Sequence, residues 1–225
     1  MRQRPNNLSL MARRQALAAL VSLPAAATAQ APGAAVARPP TPRQSLGPFY
    51  PRTPEERPRE TDADLVVVQA ERVVSRGVPL YLTGRVLDRG GMPVPGARIE
   101  IWQCDANAVY HHPAGGAEAE RDPNFQGYGQ TLTESDGAFH FRTIRPVAYP
   151  GRTPHIHVRV EARGRASLAT QLYLAGEAGN ARDFLFRQLS AEERAQLTLA
   201  LRPTESAHPL ARATAVSAAV DLVLA

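Results

Sequence analysis

From residue 65 onward, apolar and polar residues alternate in a succession of short runs, and a period of two is the signature of strands with one buried face. The runs are LVVVQAERVV (65–74), PLYLTGRVLD (79–88), ARIEIWQCD (97–105), GYGQTLTES (127–135), AFHFRTI (138–144), HIHVRV (155–160), SLATQLYLA (167–175) and TAVSAAVDLVLA (214–225). Turn-forming residues separate them. RGGMPVPG occupies 89–96, and ESDG at 134–137 is expected to join its two flanking runs as a hairpin. One stretch has the helical pattern instead, LSAEERAQLTLAL (189–201), with Ser190 placed to cap it and Glu193 three positions on to complete a capping box. Many strands, frequent turns and a single short C-terminal helix predict an all-β protein, an antiparallel β-sandwich with an extended N-terminal leader. No internal repeat is visible.

Length and charge narrow the field. At 225 residues, 44% of them apolar, the chain suffices for one domain and its tails. The formal charge of +5 suggests an anionic partner, but Arg2, Arg4, Arg13 and Arg14 supply four of the 26 bases within the first 29 residues. The remaining 22 bases face 21 acids, so the basicity belongs to the leader and no nucleic-acid partner is expected. That leader carries the Arg13-Arg14 pair, an apolar stretch from Ala16 to Ala27 and a small-residue cleavage pattern at Ala27-Thr28-Ala29. It reads as an export signal of the twin-arginine type, too short to span a membrane, and places the mature protein in the periplasm or outside the cell, with no stable membrane insertion. The domain reading is therefore an export signal over 1–29, a linker and arm over 30–64, and the β-domain over 65–225, with packed structure beginning near Leu65. Cys104 is the only cysteine, which excludes an intrachain disulfide and a thiolate metal cage.

The run HIHVRV raises the question of chemistry. His155 and His157 project from the same side of a strand, about 7 Å apart at the backbone, so both imidazoles can converge on one metal ion. A polar, solvent-facing pair has the same spacing. Two tyrosines lie nearby, Tyr149 just before the turn YPGRTP and Tyr110 where the segment EIWQCDANAVY leaves its strand. Each could be a packed ring with a bonded hydroxyl. For both to be ligands, the metal must ionise phenols of pKa about 10 at neutral pH, which suits a strongly Lewis-acidic centre such as Fe(III).

The segments TPRQSLGPFYP, GRVLDRGGMPVPGARIEIWQCDANAVYHH, DPNFQGYGQTLTESDGAFHFRTIRPVAYP and RTPHIHVRV, with TQLYLAG downstream, occur in an order and spacing that resemble the intradiol ring-cleavage dioxygenases, from about Thr41 to Gly176. The resemblance implies a non-haem Fe(III) held by Tyr110, Tyr149, His155 and His157 with solvent in a fifth position. It implies Arg152 and Gln171 facing a catechol-type substrate, and Tyr149 accepting one of the substrate's protons. With O2 as co-substrate, the ring would open between its two hydroxyl-bearing carbons to a muconate-type diacid. Tyr50, in GPFYP, would fold across the pocket mouth as a substrate contact. Only Pro150 to Pro154 separate Tyr149 from His155, where protocatechuate-type members carry a longer insertion, which implies a shorter pocket wall. His111, His112, His140 and His208 read as exposed, and Trp102 as core. Two other readings compete: a non-catalytic secreted β-sandwich carrier or carbohydrate-binding module, and a cupin-like Fe(II) or copper enzyme, which lacks a third histidine or carboxylate in register. The oligomeric state is not specified by these residues.

Overall fold

The period-two runs become strands of two sheets in the computed structural model, which describes residues 37–58, 60–68, 75–204 and 215–225. In chain order the strands are β1 (Pro79–Asp88), β2 (Arg98–Trp102), β3 (Tyr128–Leu132), β4 (Ala138–Ile144), β5 (His155–Glu161), β6 (Leu168–Leu174), β7 (Thr198–Leu199), β8 (Arg202–Thr204) and β9 (Ala215–Leu224). One sheet has the order β4-β1-β9-β8 and the other β3-β2-β5-β6-β7. Both are mixed, because β9 runs parallel to β1 and β7 parallel to β6. This corrects the expected all-antiparallel arrangement. Alternation fixes which face of a strand is buried but not its direction. A parallel neighbour must return through a long connection, which the helix-containing loop before β7 and most of the chain before β9 provide.

The ESDG expectation also changes. Gly137 N–H bonds Glu134 O at 2.9 Å, so the turn forms, yet β3 pairs with β2 and β4 with β1 in the other sheet. The turn is a crossing between sheets rather than a hairpin tip. Gly137 has φ +77°, and a Cβ there would stand 2.6 Å from Val86 O, so the crossing needs glycine. The C-terminal helix is shorter than its pattern: α1 covers Ala191–Leu197, capped by Ser190 and Glu193 as expected, and the chain then enters β7. In the first run, Leu65 and Val66 are buried without forming a regular strand, and residues 69–74 lie outside those described.

The five-stranded sheet has two distinct faces. Ile99, Ile101, Ile156, Val158, Val160, Leu168, Leu172 and Leu174 point into one buried cluster that also takes Leu80, Leu82 and Phe139 from the other sheet. Register places Trp102 opposite His157, Glu100 opposite Arg159, and His157 and His155 opposite Gln171 and Tyr173, all on the reverse face. That face is covered as well. Packed structure begins before Leu65: Thr41 N–H bonds Val223 O at 2.9 Å, Gln44 N–H bonds Ala169 O at 2.8 Å, and Thr41 and Tyr50 are buried. Tyr50, Trp102, Cys104, Tyr110 and Tyr128 form a second buried cluster, with Leu46, Phe49, Val147 and Tyr149 packed against it. Among the described residues no helix is long and apolar enough to cross a membrane. The proposed leader and His208 lie outside the described residues.

Candidate functional site

His155 and His157 start β5 and are buried, with their Nε2 atoms 3.2 Å apart. His155 Nδ1 lies 2.7 Å from Thr153 O, which can only accept, so Nδ1 carries the proton and Nε2 presents a lone pair. Burial, reinforced by the Arg152 charge, lowers the His155 pKa to about 4. Burial and then the neighbouring His155 hold His157 well below the usual histidine range. Both rings are therefore neutral at pH 7. The His157 ring lies parallel to the Trp102 indole, centroids 4.9 Å apart at 8°, and its Nδ1 is buried without a hydrogen-bond partner among the described residues. Gly47, at φ +73°, would place a Cβ 3.2 Å from His157 Cε1. The arm over this face passes so closely that glycine is required.

Tyr110 reaches the same point from the loop after β2. Asp105, whose side chain is fully buried, shapes that loop by accepting from the N–H groups of Asn107 (2.9 Å), Val109 (3.0 Å) and Asp122 (2.7 Å). Ala108 is held at φ +64° within it. Tyr110 Oη then lies 3.5 Å from His155 Nε2, under the Phe49 ring, centroids 4.2 Å apart. Tyr149 arrives from the turn before β5, closed by Arg152 N–H to Tyr149 O at 2.9 Å, with Gly151 at φ +83°. Its ring is 5.6 Å from both Tyr110 and His155. Burial raises both phenols, Tyr110 the more strongly, while the Arg152 charge partly offsets the rise at Tyr149.

Arg152 and Gln171 are brought together. Arg152 Nη2 donates to Gln171 Oε1 at 2.6 Å, Nη1 lies 3.5 Å from Tyr149 Oη, and Nε donates to Asp183 Oδ2 at 2.8 Å. Gln171 Nε2 in turn donates to Ser45 O at 3.3 Å, tying the arginine to the arm. Tyr50 stands one register step along the sheet, edge-on to Trp102, with its hydroxyl donating to Glu100 Oε2 at 2.9 Å and accepting from Arg159. Asp183 was not anticipated. Its one sequence signal is a lone acid heading the apolar stretch DFLF. His111 and His112 correct the expectation of exposed loop residues: His111 lies 3.2 Å from Asp105 and is half-buried, and His112 is buried, because the Tyr110 loop folds back on itself. His140 is exposed and Trp102 buried, as expected.

His155 Nε2 presents a lone pair 3.2 Å from His157 Nε2, close enough to accept that ring's proton in the metal-free protein, and a cation that takes the proton's place would meet both nitrogens. Among the described residues no three His, Cys, Asp or Glu side chains come together for a metal, so a metal held here draws on the two phenols. This donor set, two neutral imidazoles and two acidifiable phenols, fits Fe(III).

Fold and site together define a β-rich protein with a buried phenol–imidazole cluster on the second face of a sheet. The model of the family described as Dioxygenase matches residues 47–224, and the chain belongs to the intradiol ring-cleavage dioxygenase family. It is 37% identical over 154 residues to the protocatechuate 3,4-dioxygenase beta chain of Burkholderia cepacia, covering 62% of this chain and 66% of that one. It is 29% identical over 147 residues to a catechol 1,2-dioxygenase of Candida albicans, covering 57% of this chain and 45% of that one. The chain thus spans about half to two thirds of the length of these curated relatives. Among solved structures it resembles the dioxygenase domain of a dioxygenase carbohydrate-binding protein fusion from Streptomyces sp. SirexAA-E, at 36% identity and TM-score 0.58, covering 83% of this chain and 98% of that one.

Proposed function

We propose that the protein is a non-haem Fe(III) dioxygenase that opens a catechol-type ring between its two hydroxyl-bearing carbons, consuming O2 and yielding a muconate-type diacid. The observation that carries the reading is the pair of neutral imidazole Nε2 atoms 3.2 Å apart with the Tyr110 hydroxyl 3.5 Å from one of them. His155, His157, Tyr110 and Tyr149 would hold the metal, which when bound supplies Lewis acidity and lets a catecholate react with triplet oxygen. Family membership and the donor set both support this, and the non-catalytic carrier is not favoured.

The remaining roles belong to the chain. Tyr149, half-buried on a turn, is the phenol placed to take a proton from an incoming catechol, whereas Tyr110 is sealed beneath Phe49. Arg152 offers a fixed guanidinium edge for negative charge that develops on the ring oxygen as aromaticity is lost. Gln171 accepts from that guanidinium and joins it to the arm. Tyr50, its hydroxyl taken up by Glu100 and Arg159, contributes a wall and supports Trp102 behind His157. The two sheets, sharing one buried cluster, are read as the layers of a sandwich. Export by residues 1–29 to the periplasm or beyond completes the proposal.

The test is purified protein loaded with Fe(III) and given catechols under labelled dioxygen. A visible phenolate-to-iron absorption band and a cis,cis-muconate with one labelled atom in each new carboxyl are expected. Tyr110→Phe and His157→Ala should lose iron, and His140→Ala should retain it. A colourless loaded protein, or a yellow semialdehyde product, refutes the reading.

A further inference from the structure

We infer that Asp183 is a positioning residue that fixes the Arg152 guanidinium and, through residue 153, the ring of His155. The inference rests on the reading of Arg152 as the substrate-facing cation. Asp183 lies in the loop between β6 and α1, far from the site in sequence, and its side chain is fully buried. Its acceptor positions are all engaged: Oδ2 takes Arg152 Nε at 2.8 Å and Thr153 N–H at 3.1 Å, and Oδ1 takes the N–H groups of Leu185 and Phe186, each at 3.0 Å. Three backbone donors thus hold the carboxylate rigidly before it meets the arginine.

A bond to Nε has a specific geometric effect. It removes rotation of the guanidinium plane and leaves the Nη1 and Nη2 edge directed at Tyr149 and Gln171. The Phe184 ring lies 5.3 Å from Arg152 Cζ and limits motion on another side. A cavity of about 250 Å³ lined by Ala148, Gly151, Arg182 and Asp183 adjoins the arginine, so without the carboxylate the guanidinium has room to swing away from the site. The second effect passes through one peptide unit. Asp183 holds Thr153 N–H, Asn180 Oδ1 lies 2.8 Å from Thr153 Oγ1, and Thr153 O holds His155 Nδ1. Gly179 permits the approach, since a Cβ there would lie 2.8 Å from Thr153 Oγ1. One loop therefore sets both the arginine and one imidazole.

The experiment combines kinetics with a measurement that needs neither metal nor turnover. In the iron-loaded protein, Asp183→Asn should keep its iron and colour and its KM within about twofold. Its kcat should fall about 10- to 100-fold, as expected when a preorganised group is misplaced by about 1 Å. Arg152→Ala should lose about 10²- to 10³-fold, and adding Asp183→Asn to it should lose clearly less than Asp183→Asn does in the wild type, since the route through the arginine is already gone and only the route through Thr153 to His155 remains. In the metal-free wild type, the Arg152 Nε–H signal in a nitrogen-15 correlation spectrum, assigned by its loss in Arg152→Lys, should exchange slowly with water. An undiminished kcat in Asp183→Asn overturns the inference. So does a loss that persists in full on the Arg152→Ala background, or an Nε–H that exchanges as fast as a solvated guanidinium. Should Asp183→Asn not fold, the wild-type exchange measurement alone decides. A wild type that cleaves no catechol refutes the functional reading, and the exchange measurement still decides whether Asp183 holds Arg152.

Discussion

Acid should destabilise the metal-free protein at a pH where its carboxylates are still ionised, because two buried imidazoles must stay neutral for it to fold. His155 falls from 6.5 to about 4 on folding, and His157 is lowered further by burial and by its neighbour. A lowered histidine pKa means that the unfolded chain takes up the proton first. The stability is complete above the unfolded value of 6.5 and drains away as pH falls toward the folded one. Each tenfold change in proton affinity is worth about 1.4 kcal/mol, so His155 alone is responsible for about 3 kcal/mol across the window and about 2 kcal/mol of it by pH 5. For a domain of this size that is a fall in Tm of roughly 4–8 °C. The assay is urea or thermal unfolding of the metal-free protein at about pH 7.5, 6 and 5. His155→Gln, which cannot charge, should lose distinctly less stability between the extremes than wild type, and the exposed His140→Ala should follow wild type. The carboxylates of Asp105 and Asp183, held below the ordinary range, belong to a lower window. An equal pH loss in His155→Gln and wild type would refute the claim that this imidazole is folded in its neutral form.

Two further outcomes are expected. Gly47→Ala should destabilise the chain by roughly 1–2 kcal/mol and shift the visible band of the iron-loaded protein, because φ is +73° and the new methyl would press on His157 Cε1. Urea titration and absorption spectra check this. Replacing Arg13 and Arg14 by lysine should hold the precursor in the cytoplasm, and normal arrival of the mature form in the periplasm would remove the twin-arginine reading.

What could be read from the sequence was whatever depends on neighbours along the chain. The alternation HIHVRV already separates His155 and His157 from Ile156, Val158 and Val160, and the capping box at Ser190 and Glu193 starts α1 where it does. Pairing between distant strands was not legible. The parallel neighbours of β1 and β6 come from the C-terminal part of the chain, and the ESDG turn is the same turn whether the strands it joins pair or part. His111 and His112 carry polar side chains on a loop, which reads as exposure. They are covered because Asp105 and Asp122 fold the loop back. Asp183 stands 31 residues from Arg152, and nothing in DFLF indicates which cation it will meet.

The two tyrosines show why residue type alone does not assign a role. Tyr110 is fixed by a loop whose backbone N–H groups are bound by a buried aspartate, and its ring is capped by Phe49. A phenol so confined can be a permanent donor, but it has little freedom to leave and return. Tyr149 sits on a turn with glycine two positions on, partly open to solvent, with the Arg152 guanidinium 3.5 Å from its hydroxyl. That charge favours the phenolate. Burial opposes ionisation at both and the Arg152 charge offsets it at both, but among the described residues only Tyr149 has that cation within hydrogen-bond reach. On the proposed reading, the tyrosine that exchanges a proton with a catechol is therefore the less buried of the two, and the arginine beside its hydroxyl is the one bound by Asp183.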